Sequence, residues 1–228
     1  MKEAEEEKTI PQNIEMSLSN FEHWVEQNSK MLTYVVGGLF AVVAAYFGFM
    51  KFYLEPKNAE ANNQIFMAQK WFGNDSLNLA LNGDGNFPGF LSIVDDYKWT
   101  DAANLSHYYL GVIYLRQGKF QDAIDELKDF SGKDKLVTNM AYGAIGDAYS
   151  ELGNNDDAVD YYKKAAYHFE NELTTPIFLK KAGMLLEVEK KGTEAIKLYQ
   201  DIKSKYPNST EGRDMDKYIA RAEGVTKS

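Results

Sequence analysis

The 228-residue chain contains no cysteine. Disulfides, thiolate nucleophiles, cysteine-ligated zinc and a lipid anchor built on an N-terminal cysteine therefore lie outside its chemistry. Histidine is scarce too. His23, His107 and His168 stand far apart, and no H-E-x-x-H pair, G-x-S-x-G elbow or Gly-rich phosphate loop occurs. The acidic pairs Asp95-Asp96 and Asp156-Asp157 fall near helix ends, where solvation and the helix dipole account for them. With the common catalytic constellations missing, the sequence reads as a non-enzymatic binding protein with no cofactor, no metal and no small-molecule substrate. A basic excess is also lacking. Acids outnumber bases 34 to 25, for a net charge of −9, which speaks against nucleic acid as a partner.

What is present begins with Met31–Met50, twenty residues without a charge between Lys30 and Lys51. At ~1.5 Å per residue a helix of this length matches the ~30 Å hydrocarbon core of a bilayer. Trp24 and Tyr34 gather at one end, and Tyr46, Phe52 and Tyr53 at the other, as amphipathic rings do at two interfaces. Val43 and Ala45 are a weak match to a cleavage site. The thirty residues ahead hold seven Glu against three Lys, unlike the short basic start of a cleaved signal. An uncleaved signal anchor is the expectation. Gly37, Ala41 and Ala45 recur every four residues, a spacing at which another helix can pack closely.

The organisation expected from these patterns is an acidic disordered tail (1–16), an amphipathic lead-in helix (17–30), a transmembrane helix (31–53), a degenerate first helix pair (54–103), three repeats (104–208) and a capping helix with its tail (209–228). In the lead-in, Leu18, Phe21, Trp24 and Val25 share a face opposite Glu22, Glu26 and Gln27. That suits an interfacial helix, with a docking face for a membrane partner's loop as the alternative. The run Asn82-Gly83-Asp84-Gly85-Asn86 invites a calcium loop. Its sixth and twelfth places hold Phe87 and Ile93 rather than Gly and Glu, so a turn is expected.

From Asn104 the chain repeats itself. Gly111, Gly146 and Gly183 are each followed three residues on by Tyr114, Tyr149 and Leu186. Twelve residues after each glycine come Ala123, Ala158 and Ala195, then Leu127, Tyr162 and Tyr199, and Pro207 closes the third unit. These columns resemble the tetratricopeptide repeat, L-G-x2-Y, A-x3-F, P. The resemblance departs at His107, Tyr142 and Leu179, where the repeat favours Trp, and the first two units lack the proline. It implies an all-α solenoid after a single N-terminal transmembrane helix, with Gly118 and Gly153 ending first helices of the hairpins. By repeat phase the inner face carries Tyr108, Val112, Arg116, Gly143, Asp147, Ser150, Lys180, Met184 and Glu187, a mixture suited to an extended segment or a partner's helix. The Lys and Asn with which cytosolic co-chaperones hold an acidic peptide terminus are replaced by Tyr108 and Val112, so that activity is not expected. Asn208-Ser209-Thr210 fits a glycosylation triplet of a kind common by chance.

An acidic tail, one span and a repeat domain of this size resemble the YfgM family of bacterial inner-membrane proteins. The stretch from Asp75 to Phe90, DSLNLALNGDGNFPGF, is similar to Bacteroidetes versions. The resemblance implies an ancillary subunit of the SecYEG translocon, working with a membrane-anchored PpiD-type chaperone on emerging client polypeptides. It further implies a single-pass protein of the inner membrane, with the N-terminus cytoplasmic and the repeats periplasmic. The flanking charges, Lys30 on one side and Lys51, Lys57 and Lys70 on the other, lean the opposite way. The resemblance, and the ease of translocating a long segment behind a signal anchor, favour the periplasmic placement. A scaffold in envelope assembly or cell division is the alternative, since Lys205-Tyr206-Pro207-Asn208-Ser209 resembles repeat ends of such proteins.

Overall fold

A computed structural model describes residues 21–226; the expected tail at 1–16 and Leu18 of the lead-in fall outside them. The chain divides into two compact units, residues 1–56 and 57–228.

In the first unit, residues 21–27 form a helix (α1), and Asn28 leads into α2 (Ser29–Phe49). No residue of α2 is buried. Its backbone is satisfied within the helix while its apolar side chains face outward, the arrangement that hydrocarbon surroundings require. It is long and apolar enough to cross a membrane. Past Phe49 the ladder widens into a π-helical stretch, Met50–Leu54, before α3 (Glu55–Gly73). Pro56 supplies the reason. It has no N–H to offer the carbonyl four residues back and its ring crowds that carbonyl, so the turn before it opens.

The second unit is built from helices that pack on their neighbours in chain order. From α3 it buries Ala61, Ile65 and Ala68, spaced as one face of a helix, against α4 (Leu77–Asn82) and α5 (Phe90–Asp96). The segment between α4 and α5 is a turn: Gly83 and Gly85 take positive φ, and the Asp84 carboxylate accepts from the Asn86 and Phe87 N–H groups at 2.9 and 2.8 Å. Three hairpins follow, α6 (Asp101–Arg116) with α7 (Phe120–Asp129), α8 (Lys135–Glu151) with α9 (Asn155–Tyr167), and α10 (Thr175–Val188) with α11 (Gly192–Lys205). A final helix, α12 (Met215–Thr226), packs on α11.

The repeat columns mark where the two helices of each hairpin cross. A Cβ on Gly111 would collide with the Leu127 side chain, one on Gly146 would lie 2.7 Å from the Tyr162 ring, and one on Gly183 would strike the Tyr199 ring. Glycine in the first helix thus seats the large residue sixteen positions later, and Ala123, Ala158 and Ala195 are fully buried in the second helices. All three hairpins turn through the same Schellman geometry. The N–H groups of Lys119, Asn154 and Lys191 reach back to the carbonyls of Tyr114, Tyr149 and Leu186, with Gly118, Gly153 and Lys190 in the left-handed region. Helix starts are capped where the sequence permits. Thr100 accepts from the Ala103 N–H, and Asp134 from those of Leu136 and Val137.

Candidate functional site

Tyr108, Val112 and Arg116 lie on α6, Asp147 and Ser150 on α8, and Lys180, Met184 and Glu187 on α10, the first helices of the three hairpins. The register between α8 and α10 is fixed by side chains one repeat apart. Asn139 donates to Thr174 at 3.1 Å, the Phe178 ring lies against Gly143, and Lys181 donates to both carboxylate oxygens of Asp147 at 2.6 and 2.9 Å. Gly143 is accordingly a packing position under Phe178 rather than an open one.

The charged candidates are each held within the chain. Arg116 bridges to Asp75 at 3.1 Å, its guanidinium 5.0 Å from the centre of the Phe72 ring. Asp147 takes Lys181 and also the Tyr162 hydroxyl at 2.6 Å. Glu187 accepts from Arg221 of α12 at 2.6 and 2.8 Å, and from the Tyr199 hydroxyl. The Lys180 ammonium sits 5.0 Å from the Tyr218 ring centre. Tyr108 packs between Tyr109 and Phe130, with ring centres 5.7 and 5.6 Å away, and burial raises its pKa. Val112 and Ser150 are half-buried.

These partners shape the titration of the site. Burial, reinforced by the carboxylate each phenol donates to, pushes Tyr162 and Tyr199 far up, so both remain donors through the physiological range. Burial by itself would raise Glu187, but its hydrogen bonds from Arg221 and Tyr199 outweigh that and leave its pKa below the ordinary 4.5. A carboxylate lowered in the folded state stabilises the fold above its unfolded pKa, and this contribution is lost as pH falls through the folded value. Glu187 is only 8% exposed, and a buried charge-assisted hydrogen bond contributes about 2 kcal/mol. The stability gap between the native chain and Glu187→Gln is therefore expected to be full above pH 4.5 and to close in more acid solution. Thermal melts across that range check it; a gap unchanged by acid would remove Glu187 as the titrating partner of α12.

With the charges engaged, the first helices of the hairpins and the turns beside them offer solvent a different set of residues. Met184 is 42% exposed. Leu136 and Met140 precede Asp147 on the same side of α8, Val188 follows Met184 by one turn of α10, and Leu173 lies in the turn before α10; all four are exposed. The sequence reading did not single out Leu136, Met140, Leu173 or Val188, although Met140 stands three residues before Gly143 and Val188 four after Met184. Gly37, Ala41 and Ala45 remain an open strip on α2; nothing lies within 4 Å of a Cβ built on Gly37. Among the described residues no cluster of three or more His, Asp or Glu could hold a metal ion, and His107 faces Glu126 across its hairpin at 2.7 Å.

Comparison with known proteins agrees with this architecture. Residues 94–135, 141–167 and 178–209 each match the tetratricopeptide repeat. The fold is similar to a crystal structure of nearly identical TPR-like repeats from Podospora anserina, at a TM-score of 0.56 over 75% of this chain and 88% of that one, with 13% identity. In sequence the chain is 30% identical over 116 residues to the uncharacterized protein ycf37 of Guillardia theta, which covers 49% of this chain and 64% of that protein. The chain is thus an all-α protein carrying tetratricopeptide repeats, an architecture that serves protein–protein interaction, with one helix long and apolar enough to cross a membrane.

Proposed function

We propose that the protein is a membrane-anchored, non-enzymatic interaction protein of the bacterial inner membrane. In this reading it is an ancillary subunit of the SecYEG translocon, with its repeats in the periplasm beside a PpiD-type chaperone and its inner face open to client polypeptides. The observation that carries the reading is the pairing of two surfaces. One is a helix with no buried side chain over its 21 residues. The other is an inner face whose charges are matched within the chain, leaving Met184 and its apolar neighbours to a partner. Such a face favours an apolar or amphipathic segment over a charged one, because the latter would have to break existing pairs. The resemblance of the lead-in, the span and the Asp75–Phe90 stretch to the YfgM family supplies the choice of membrane and translocon.

The test is purification of the tagged full-length chain from its native membrane in mild detergent, with bound proteins identified by mass spectrometry. SecY and a periplasmic chaperone are the expected partners; division or outer-membrane assembly proteins in their place would overturn the translocon role. In the same assay Met184→Asp is expected to reduce client recovery about tenfold, the equivalent of ~1.4 kcal/mol. Its thermal stability should stay native because the side chain is half open to solvent. Undiminished recovery would move the binding site off the inner face.

A further inference from the structure

We propose that the solenoid bends at one place, the seam between its first and second hairpins, while the second hairpin, the third and the cap move as one body. The joint lies wholly within the repeat unit and does not depend on which partner the inner face takes.

Gly111, Gly146 and Gly183 give the three hairpins a common phase, so the two seams between them compare position by position. Across the second seam the first helices interlock at several points. Asn139 of α8 donates to Thr174, just ahead of α10, in a buried bond of 3.1 Å. The Phe178 ring lies against Gly143, and Lys181 donates to both carboxylate oxygens of Asp147 in a part-buried pair. One repeat back, the same places hold Asn104 with Val137, Tyr108 with Ala141, and Val112 with Ala144. Valine and alanine have no side-chain group to bond. Asn104 instead gives its amide to the linker, donating to the Ser131 carbonyl at 2.9 Å and accepting from the Ser131 N–H at 2.8 Å. The exposed ends of the hairpins repeat the contrast. Asn155 with Glu189 and Asp156 with Lys191 bond across the second seam at 2.6 Å each, where the first seam has Phe120 with Leu152 and Gln121 with Asn154. Being exposed, these two bonds add less than the interlocks above.

What holds the first seam is of another kind. Ala123, Ile124 and Leu127 of α7 form an apolar cluster with Ala141, Ile145 and Ala148 of α8, and Lys128 donates to the Tyr149 hydroxyl at 2.9 Å from an exposed position. Apolar burial is non-directional, so it keeps the two hairpins together without fixing their angle. Packed helices joined in this way move by small sliding steps, a shear that leaves their own hydrogen bonds intact. Beyond the second seam the reverse holds. The core around Tyr162, Phe178, Leu179 and Tyr199 continues from α9 to α12, and Glu187 is clasped by Arg221 of the cap. The inner face therefore has a movable edge and a fixed floor. Tyr108 and Val112 of α6 swing relative to Asp147, while Asp147, Met184 and Glu187 keep their spacing. The groove adjusts its width at α6 alone.

The experiment uses the full-length chain in phospholipid nanodiscs. The chain has no cysteine, so an introduced pair carries the only spin labels, and double electron–electron resonance gives their distance distribution. Asp125→Cys with Lys197→Cys spans the first and second seams; Asp160→Cys with Lys217→Cys spans the second seam and the cap. All four side chains are exposed. The first pair is expected to give a distribution at least about twofold broader than the second. Equal widths would overturn the proposal. Adding Val112→Asp with Ala144→Lys to the first pair installs at the first seam the bond that Asp147 and Lys181 make at the second. It is expected to narrow the distribution to the width of the second pair; a variant folded by circular dichroism that stays broad would also overturn the proposal. Should that variant not fold, Lys181→Met added to the second pair tests the converse. Its distribution is expected to broaden about twofold, and an unchanged width would mean that the interlocks do not set the stiffness of the seams, which ends the proposal.

Discussion

Tyr199→Ala is expected to destabilise the repeat unit by about 3–5 kcal/mol, the range for truncating a large core side chain. For a domain of this size that corresponds to a fall of about 6–20 °C in Tm. Tyr199 is 0% exposed. Its ring fills the space that Gly183 vacates at the crossing of α10 and α11, and it also lies 5.5 Å from the ring of Tyr218 in α12. Removing the ring leaves a cavity bounded by three helices that cannot collapse without shifting the crossing. Its hydroxyl is a separate contribution, because it donates to Glu187, which stays in place through Arg221. Tyr199→Phe keeps the ring and removes only that bond, for a loss of about 1–2 kcal/mol. Thermal and urea unfolding of the two variants should rank Ala well below Phe and Phe below native. Equal losses would mean that the hydroxyl, not the packing, holds the third hairpin to the cap.

The second large effect concerns α2. Arginine near the centre of a spanning helix costs about 2.5–3.5 kcal/mol on insertion scales, so Val42→Arg with Val43→Arg opposes insertion by about 5–7 kcal/mol. Both valines are exposed, and the repeat unit has its own cores elsewhere. The double variant is therefore expected to fold its repeats normally and yet leave the membrane fraction under an alkaline carbonate wash that retains the native chain. Paired alanines at the same positions should remain with the membrane. A double-arginine chain still resistant to extraction would mean that α2 is not what holds the protein there.

Much of the fold was legible because helix crossings impose hard local requirements. Gly111, Gly146 and Gly183 have to be glycine where Leu127, Tyr162 and Tyr199 press on them, and a fixed requirement recurring at a fixed spacing is visible in one sequence. The third turn was less visible. Lys190 adopts the conformation that glycine holds in the other two, so composition gave no sign of it. The helix α4 went unnoticed for a similar reason: six residues ending at Gly83 carry too little periodicity to separate from a turn. The side chains chosen on the first helices were legible as positions and not as partners. Lys180 and Lys181 are adjacent, and helical phase alone does not say which one meets Asp147; that depends on how far α10 slides along α8. The same holds for Asp75 with Arg116 and for Arg221 with Glu187, whose meeting requires whole hairpins to be in place.

The bonds between neighbouring hairpins also encode an order. Lys181 of the third hairpin mates with Asp147 of the second, whereas Val112 of the first, one repeat back from Asp147, offers no carboxylate. Glu187 mates with Arg221 of the cap, and Ser150, one repeat back from Glu187, could not take its place. The seams are keyed, each cut for one neighbour. Exchanging the second and third hairpins would keep every glycine–tyrosine crossing and still leave Lys181 and Arg221 facing the wrong side chains. Units that look interchangeable in sequence thus have a single permitted succession along the solenoid, and a chain grown by duplicating one of them would have to recut its seams before the new copy could fit.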